Sequence, residues 1–345
     1  PFDDHIGSFE SPPLDELVAD AVEARLVADR KVGLLLSGGV DSSLIFSVLA
    51  KRGLIDQVVC ITGDAGKSDD ALYARRCLDA VGRNAIEIKL NYGGESVDQF
   101  LDVCGSQAKP FPLIGNVLGM AALYQAIGAE DIRVVLDGSG GDEIFGGYWQ
   151  RYAGFAMRDA ARADDRAWLD EVRASGFLPA SLAQLPDRAI ATDAPPTPSI
   201  DALDARDQSL LSKEGQEGLL TAESCDPLVN FDGTLAQALA LDARAGRMQE
   251  WLWQNDRNAM RAGIENRSPF LDWRLWAFSA SGYAAKFSGP WNKAELRHLF
   301  GRFMPLPTAH RKDKQGFRFV YGRFLRQNQE RDFMYVTLDE TRYRN

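Results

Sequence analysis

The apolar run LLL at 34–36 leads directly into SGGVDSS at 37–43, after which apolar residues return at helical spacing from Leu44 to Leu49. This order predicts a buried strand, a glycine turn and a helix. Such a turn directs unpaired backbone N–H groups and the positive end of the helix dipole toward one point, which favours an anion. The stretch therefore predicts a phosphate-binding loop in an α/β fold.

The residue types of this loop suit a nucleotide phosphate. Its two glycines let the backbone approach phosphate oxygens without a Cβ atom, and its serines add hydroxyl donors. A carboxylate beside a phosphate is repulsive unless it binds a metal, so we interpret Asp41 as a ligand of Mg²⁺. From the residues alone, a plain helix capped by Asp41 or Ser42 remains the alternative. The candidate phosphate-binding residues are Ser37, Gly38, Gly39, Asp41, Ser42 and Ser43.

Apolar runs and helical patterns alternate along the first part of the chain. Strands that are buried on both faces read as unbroken apolar runs, and their alternation with helices implies parallel crossovers. We predict a lead-in helix near 14–26, strands near 32–36, 57–62, 84–90 and 133–136, and helices near 42–51, 69–81 and 115–126. Beyond Tyr152 the strand signals fade, and helical spacing at 164–173 and 235–260 predicts a mainly helical half. The predicted fold class is α/β, with a parallel-sheet core followed by this helical half.

The glycine loop departs from two common nucleotide motifs, since it lacks the Lys of a Walker loop and the spacing of a GxGxxG turn. It resembles the loop of the ATP-pyrophosphatase (PP-loop) superfamily, whose members cleave ATP between the α and β phosphates. The resemblance implies a core of the adenine nucleotide α-hydrolase type, ATP as a substrate, and AMP and pyrophosphate as products. It also matches Leu36 and Thr62 to positions that contact the adenosine moiety.

A second glycine-rich stretch, DGSGGDEIFGGY at 137–148, follows an apolar strand. Because the carboxyl ends of parallel strands form the ligand-binding edge of an open sheet, Asp142 can face Asp41 across one nucleotide and share its Mg²⁺. A strand-to-helix turn with solvated acids is the alternative. Here the resemblance narrows to the asparagine synthetase family, in which GxGxDExFxGY is typical. It implies a metal role for Asp142, a backbone contact with adenosine at Gly138 and a substrate-side role for Glu143.

A third stretch, DRNAMRAGIENRSPFLD at 256–272, resembles the substrate-domain signature of the same family. Its dense charges are interrupted by an apolar PFL that must be buried. An interlocked set of salt bridges that anchors the helices is our interpretation for most of these charges. Arg267 is the exception, because a guanidinium group binds a carboxylate or a phosphate through two parallel hydrogen bonds. We therefore place Arg267 on the substrate side.

Basic residues near the carboxyl end match the family pattern KxxxR followed by KxGF, at Lys293, Arg297 and Lys314. A solvated basic stripe is the usual meaning of such runs. A leaving pyrophosphate needs cations, however, and the chain as a whole is acidic. By resemblance, Lys293 and Lys314 are catalytic and stabilise pyrophosphate and the acyl-transfer transition state, and Arg297 belongs to the pyrophosphate site. The family usually has Arg at the place of Lys312, so this chain keeps the charge but loses the planar fork.

The resemblance covers roughly residues 14–325 and divides them into a nucleotide-binding α/β part at 14–152 and a mainly helical substrate part at 153–325. A Pro- and Asp-rich stretch at 191–203 is predicted to be a surface loop, and 326–345 a polar tail. Family enzymes that use glutamine begin with a cysteine nucleophile on a separate glutaminase domain. Cys60, Cys77, Cys104 and Cys225 all lie far from the amino end. We therefore expect no amino-terminal glutaminase domain in this chain.

Ser139 is a second departure from the family. Asparagine synthetases usually read SGEG where this chain reads Asp137-Gly138-Ser139-Gly140, and β-lactam synthetases place a catalytic Tyr at the position of Ser139. A serine hydroxyl is neither an ionised carboxylate nor a phenol. We assign Ser139 to the substrate side. Its presence disfavours free aspartate as the acid substrate and excludes a catalytic Tyr at this position.

Composition excludes several other classes of protein. The net charge of −10 disfavours nucleic-acid binding, and scattered cysteines without a CxxC pair disfavour a zinc site, an iron–sulfur site or a tRNA sulfur-transfer enzyme. No apolar run approaches the roughly 20 residues that cross a bilayer, so we expect no membrane contact and a cytoplasmic location.

The predicted function is ATP-dependent amide synthesis through an acyl adenylate, using ATP and Mg²⁺. The substrate is a small-molecule or peptide carboxylate, and the acceptor is ammonia, normally derived from glutamine by a glutaminase domain or subunit. One alternative is an amine acceptor, as in relatives that make macrolactams, β-lactams or other natural-product amides. The other is a catalytically silent nucleotide-binding module. A homodimer is compatible with the same resemblance.

Overall fold

The computed structural model describes residues 12–64, 69–90, 97–108, 117–178, 180–184, 186, 226–228 and 231–312. Parallel strands form its central sheet, in which neighbours along the sheet are joined by crossovers. The strands are β1 (Val32–Leu35), β2 (Val58–Asp64), β3 (Ile86–Lys89), β4 (Val134–Leu136) and β5 (Glu265–Arg267), and their order in the sheet is β3-β2-β1-β4-β5. A short antiparallel pair, β6 (Phe287–Ser288) and β7 (Trp291–Asn292), lies outside it.

Helices cover both faces of the sheet and make up most of the described chain beyond β4. The first group is α1 (Leu14–Ala24), α2 (Val40–Lys51), α3 (Asp70–Asp79), α4 (Val97–Gln107), α5 (Val117–Ala129) and α6 (Gly141–Phe145). The second group is α7 (Trp149–Arg162), α8 (Arg166–Ala174), α9 (Ala180–Ala183), α10 (Leu235–Ala245), α11 (Arg247–Arg261), α12 (Tyr283–Lys286) and α13 (Ala294–Leu299). Short 3₁₀ segments are Ile55–Gln57, Pro269–Leu271, Trp273–Ala280 and Pro307–His310.

The central strands β1 and β4 are apolar on both faces because both faces are covered. Leu34 and Leu136 pack with α1, α2 and residues such as Phe270 and Leu296 from the later part of the chain. On the opposite face, Val135 packs with α5 and the end of α11. Apolar burial on two faces gives the unbroken hydrophobic runs that parallel strands require. A separate cluster joins α7, α8 and α10.

The predicted parallel α/β core is confirmed, with each of the four predicted strands and the lead-in helix within a few residues of its expected place. Helices also occupy most of 164–173 and of 235–260, the latter as two helices that meet at Gly246. The prediction of a mainly helical later half did not include β5, which returns to the sheet and pairs with β4. The predicted loop at 191–203 and the polar tail lie outside the described residues.

Candidate active site

The glycine loop joins the carboxyl end of β1 to α2. Helix α2 begins at Val40, and its N-cap residue is Gly39. The alternative in which Asp41 or Ser42 caps the helix is therefore wrong, because both residues lie inside its first turn. A glycine cap has no side chain to accept hydrogen bonds from the first turn of the helix. The N–H groups of that turn are therefore left to bind an anion or solvent.

Hydroxyl groups of the loop hold its shape from within. Ser42 Oγ accepts a hydrogen bond from the backbone N–H of Ser37 at 3.2 Å and lies 3.1 Å from Ser37 Oγ. The N–H of Gly39 donates to Ser37 Oγ at 3.3 Å. Ser43 is fully buried, and its hydroxyl accepts from the Cys77 thiol at 3.6 Å. Ser37 and Ser42 thus lie in the loop itself, whereas Ser43 faces the core.

The second glycine turn, between β4 and α6, packs directly against Asp41. A Cβ atom on Gly138 would lie 2.7 Å from Asp41 Cβ, and one on Gly141 would lie 2.5 Å from Asp41 Oδ1. Real Cβ atoms essentially never come so close, so only glycine lets the two turns meet. The expectation that Asp41 and Asp142 belong to one site at the carboxyl edge of the sheet agrees with this contact.

Lys293 joins the two carboxylates. Its Nζ lies 2.7 Å from Asp41 Oδ1, 2.6 Å from Asp41 Oδ2 and 2.6 Å from Asp142 Oδ1. The lysine is 3% exposed and has the left-handed backbone angle φ 53° at the start of α13. Burial by itself lowers the pKa of Lys293, but the charges of Asp142 and Asp41 outweigh it and raise the pKa above its ordinary value. The ammonium group therefore stays charged between two anions.

The residues at this point fit a bound Mg²⁺. Mg²⁺ in nucleotide sites is usually held by one or two carboxylates together with substrate phosphates and water. Asp41 and Asp142 supply two carboxylates whose oxygens already converge on one cation, the Lys293 ammonium. In the part of the chain that the structure describes, no group of three or more His, Cys, Asp or Glu side chains could hold a metal, so an all-protein cage is not offered there.

Glu143 lies beneath this charged centre. It is 3% exposed, and the hydroxyl of Tyr148 donates a hydrogen bond to its Oε1 at 3.2 Å. Burial, with a smaller contribution from Asp142, raises the pKa of Glu143 to about 7. Its side chain thus contacts Tyr148 on the helical side of the site.

Ser139 is bound to Asp137, two residues before it. Its backbone N–H donates to Asp137 Oδ1 at 3.0 Å and its hydroxyl to Asp137 Oδ2 at 2.9 Å. The same carboxylate accepts from Asn266 Nδ2 at 2.9 Å and Ser268 Oγ at 2.6 Å. A carboxylate has about four acceptor positions. Asp137 is therefore saturated by neighbouring donors and fixes the turn, with Ser139 as one of its partners.

Arg297 is held by protein oxygens in this structure. Its Nε donates to Asn292 O at 2.6 Å, its NH2 group to Asn292 Oδ1 at 2.9 Å, and its NH1 group to Ala309 O and Arg311 O at 2.8 and 3.1 Å. These contacts connect the start of α13 to the segment that leads into the basic residues. Lys314, the second predicted catalytic lysine, lies outside the described residues.

The model for the family described as asparagine synthase matches residues 13–345. The chain belongs to the asparagine synthase family. An amidase from Gibberella zeae, chry2, is 33% identical over 173 residues, which cover 44% of this chain and 24% of the relative. A probable glutamine-hydrolysing asparagine synthetase of Acanthamoeba polyphaga mimivirus is 34% identical over 142 residues, 39% of this chain and 25% of the relative. The human glutamine-hydrolysing asparagine synthetase is 34% identical over 139 residues, 38% of this chain and 24% of the relative.

These matches span about a quarter of the length of the curated relatives. Family membership agrees with the sequence resemblance and with the position of the two glycine turns. Across the described residues, no helix has both the length and the apolar character that a bilayer crossing needs.

The two residues that the resemblance matches to adenosine contacts lie side by side. Leu36 follows β1, is 1% exposed, and its N–H donates to Ile61 O at 2.8 Å. Thr62 lies next to Ile61 in β2 and is 5% exposed. Both are therefore at the same edge of the sheet as the glycine loop, which fits the adenosine role that remains a proposal for them.

Arg267, the predicted substrate-side arginine, binds other parts of the protein. It forms two hydrogen bonds with Glu265, at 2.8 and 3.2 Å, and donates to the carbonyl oxygens of Arg25 and Val27 at 2.9 and 2.7 Å. These contacts fasten β5 to the chain between α1 and β1. A guanidinium engaged in this way fits the anchoring interpretation that we gave to the rest of the stretch.

Two features of the site escaped sequence reasoning. The first is that Lys293 contacts both aspartates directly, across 252 positions in sequence from Asp41. The second is Arg311, a 3% exposed arginine that binds the glycine loop. The only available signal was the basic run 311–314, and solvated surface charge is the commoner meaning of such a run.

Proposed function

We propose that this chain catalyses ATP-dependent, AMP-forming amide synthesis. The observation that carries the proposal is the convergence of Asp41 and Asp142 on the ammonium group of Lys293, at the ligand-binding edge of a parallel sheet. Two convergent carboxylates and a buried lysine suit Mg²⁺ and a polyphosphate better than they suit a passive adenosine site, which needs neither. This favours an enzyme over a silent nucleotide-binding module.

In the first half-reaction, a carboxylate oxygen of the substrate attacks the α-phosphorus of ATP. The bond from that phosphorus to the bridging oxygen breaks, and pyrophosphate leaves. Bound Mg²⁺, held by Asp41 and Asp142, would neutralise charge on the phosphates. The N–H groups at the start of α2 and the cations Lys293 and Lys314 would stabilise the leaving pyrophosphate. Leu36, Thr62 and the backbone of Gly138 would hold adenosine.

In the second half-reaction, a nitrogen attacks the acyl carbon of the adenylate. A C–N bond forms, the bond from carbon to the phosphate oxygen breaks, AMP leaves, and the nitrogen loses a proton. Ammonia is the proposed nucleophile, supplied free or by a glutaminase domain or subunit. The engagement of Ser139 by Asp137 specifically favours a second candidate, an amine acceptor, because the acidic side chain usual in asparagine synthetases is replaced by a hydroxyl that is already hydrogen-bonded.

Isotope transfer tests the first half-reaction directly. Candidate acids with ¹⁸O in both carboxylate oxygens are incubated with ATP, MgCl₂ and either ammonium chloride or an amine. We expect AMP that carries one ¹⁸O atom, together with unlabelled pyrophosphate. ADP with labelled inorganic phosphate would instead mean acyl-phosphate chemistry and would overturn the proposal. Comparison of ammonium, glutamine and amine-bearing peptides in the same reaction then identifies the nitrogen donor.

A further inference from the structure

Arg311 is buried beside the glycine loop, and its guanidinium contacts a carbonyl oxygen, a carboxylate and an aromatic ring. NH1 donates to the carbonyl oxygen of Gly38 at 2.9 Å, and NH2 donates to Asp70 Oδ1. The guanidinium carbon lies 4.4 Å from the centre of the Tyr73 ring. The side chains of Arg311 and Asp70 are 1% and 5% exposed. A buried arginine with a carboxylate, a carbonyl and an aromatic face is firmly fixed in orientation.

The acceptor on Gly38 matters because of the peptide group to which it belongs. In a trans peptide the C=O and N–H bonds point in opposite directions. Arg311 holds the carbonyl of the Gly38–Gly39 peptide on its own side, so the N–H of Gly39 must point away from Arg311. It does so and donates to Ser37 Oγ at 3.3 Å. The direction of one N–H donor of the glycine loop thus depends on Arg311.

This peptide lies between two glycines, which makes it unusually free to rotate. Glycine has no Cβ to restrict its backbone angles, and Gly38 already has φ +69°. Rotation of the peptide would exchange the N–H in the anion site for a carbonyl oxygen, which repels phosphate. The contact with Arg311 opposes that rotation, and the packing of Gly38 against Asp70 O and Ala74 N at the start of α3 keeps the loop in reach.

Arg311 also connects the loop to the other basic residues of the site, Arg297 and Lys293. Its own carbonyl oxygen accepts a hydrogen bond from Arg297 NH1 at 3.1 Å, which joins it to α13 and so to Lys293. In sequence, Lys314 follows three residues later. One side chain therefore bridges the glycine loop, the start of α3 and the segment that carries the basic residues.

We infer that Arg311 is a positioning residue for pyrophosphate, which locks the Gly38–Gly39 peptide with its N–H toward the anion. The inference rests on the proposed function, since it assigns the loop to the phosphates of ATP. It predicts that loss of the arginine fork weakens binding of pyrophosphate but not of AMP, whose adenosine would contact Leu36 and Thr62.

The chain offers a closely matched control in Arg158. That arginine is also buried and also binds one aspartate, Asp232, one glycine carbonyl, Gly233 O, and one aromatic ring, that of Phe155 at 5.4 Å. It lies in α7 and contacts no residue of the glycine loop in the hydrogen bonds and ion pairs of the described chain. Arg158→Lys therefore removes a buried guanidinium group without changing the proposed site.

The experiment measures binding of magnesium pyrophosphate and of AMP by titration calorimetry. We expect Arg311→Lys to bind pyrophosphate about tenfold more weakly than the wild type and AMP within about twofold. Arg158→Lys should bind both ligands like the wild type. Asp70→Asn is a second variant, which keeps an oxygen acceptor but removes the charge that anchors Arg311, and it should weaken pyrophosphate binding in the same direction.

Three outcomes would overturn these assignments. Wild-type protein that binds neither AMP nor pyrophosphate would overturn the proposed function and the role of Arg311 with it. Wild-type binding of both ligands, with Arg311→Lys and Asp70→Asn indistinguishable from Arg158→Lys, would overturn the role of Arg311 alone. Equal weakening of AMP and pyrophosphate binding would mean that the arginine only supports the fold.

Discussion

The ammonium nitrogen of Lys293 lies 2.6 Å from Oδ2 and 2.7 Å from Oδ1 of Asp41, inside the protein. A third short contact joins the same nitrogen to Asp142. Removal of one partner from a buried ion pair leaves uncompensated charge. In the absence of metal, Lys293 is thus the cation whose charge allows the two carboxylates to lie close together.

Lys293→Met should lower the free energy of unfolding by about 3 kcal/mol, because the two aspartates are then left facing each other. Addition of MgCl₂ should recover part of that loss, since a divalent cation can replace the missing charge. Thermal unfolding of the variant and the wild type, each with and without MgCl₂, checks this. A variant whose unfolding temperature responds to MgCl₂ no more than the wild type does would contradict the shared cation site.

Asp142→Asn should lose adenylation while the fold survives. The Asp142 side chain is about one-fifth exposed and lies at the edge of the site, so loss of its charge costs little packing. We expect exchange of labelled pyrophosphate into ATP to fall by about a hundredfold or more, as for removal of a preorganised electrostatic group. Asp131→Asn, at an exposed position away from the site, is the control. Undiminished exchange in Asp142→Asn would rule out the metal role.

Gly141→Ala should impair nucleotide binding, because its Cβ would lie 2.5 Å from Asp41 Oδ1. That oxygen cannot move away without breaking its contact with Lys293. Gly105→Ala is the matched control, since Gly105 lies in α4 with nothing within 4 Å of its added Cβ. In a helix that change should stabilise by up to about 1 kcal/mol. Calorimetric titration with ATP and MgCl₂ should show weakened binding in Gly141→Ala only.

Asp272 should make the protein sensitive to acid. Burial alone raises the pKa of this carboxyl, but hydrogen bonds from Arg274 and Arg25 outweigh it and lower the pKa from 3.8 to about 2. A depressed pKa means stability that is present above about pH 4 and is lost as the pH falls toward 2. The free energy involved is about 2 kcal/mol. Asp272→Asn should therefore be less stable than the wild type at pH 7, and the difference should shrink between pH 4 and pH 2 in urea titrations.

Much of the fold follows from hydrophobic patterning, but β5 does not. Strands β1, β2 and β4 are apolar runs buried on both faces, so their sequence alone predicts them. Strand β5 is Glu-Asn-Arg, a sequence of low strand propensity, and it forms because its backbone pairs with β4 and its side chains are held by Asp137 and by the carbonyls of Arg25 and Val27. Such tertiary contacts leave no local trace in the sequence.

The candidate site was likewise predictable from the sequence only in part. The approach of Asp41 to Asp142 could be predicted because both follow parallel strands, whose carboxyl ends meet at one edge. The direct contact with Lys293 could not be predicted, because it depends on a left-handed backbone angle at a residue that is not glycine. The family resemblance implies a pyrophosphate role for Arg297, whereas its hydrogen bonds go to Asn292, Ala309 and Arg311, which only the folded chain brings within reach.

The pairing of β5 with β4 has a consequence for biosynthesis. Domains fold as they emerge from the ribosome, the amino-terminal part first. Here the sheet gains its last strand only after Arg267 has emerged, and the aspartates gain their cation only after Lys293 has emerged. A nascent chain that ends before these residues presents an unpaired strand edge and two uncompensated carboxylates. Assembly of the proposed site must therefore wait at least until translation has passed Lys293, which makes the early glycine loop one of the last parts of the molecule to reach its final surroundings.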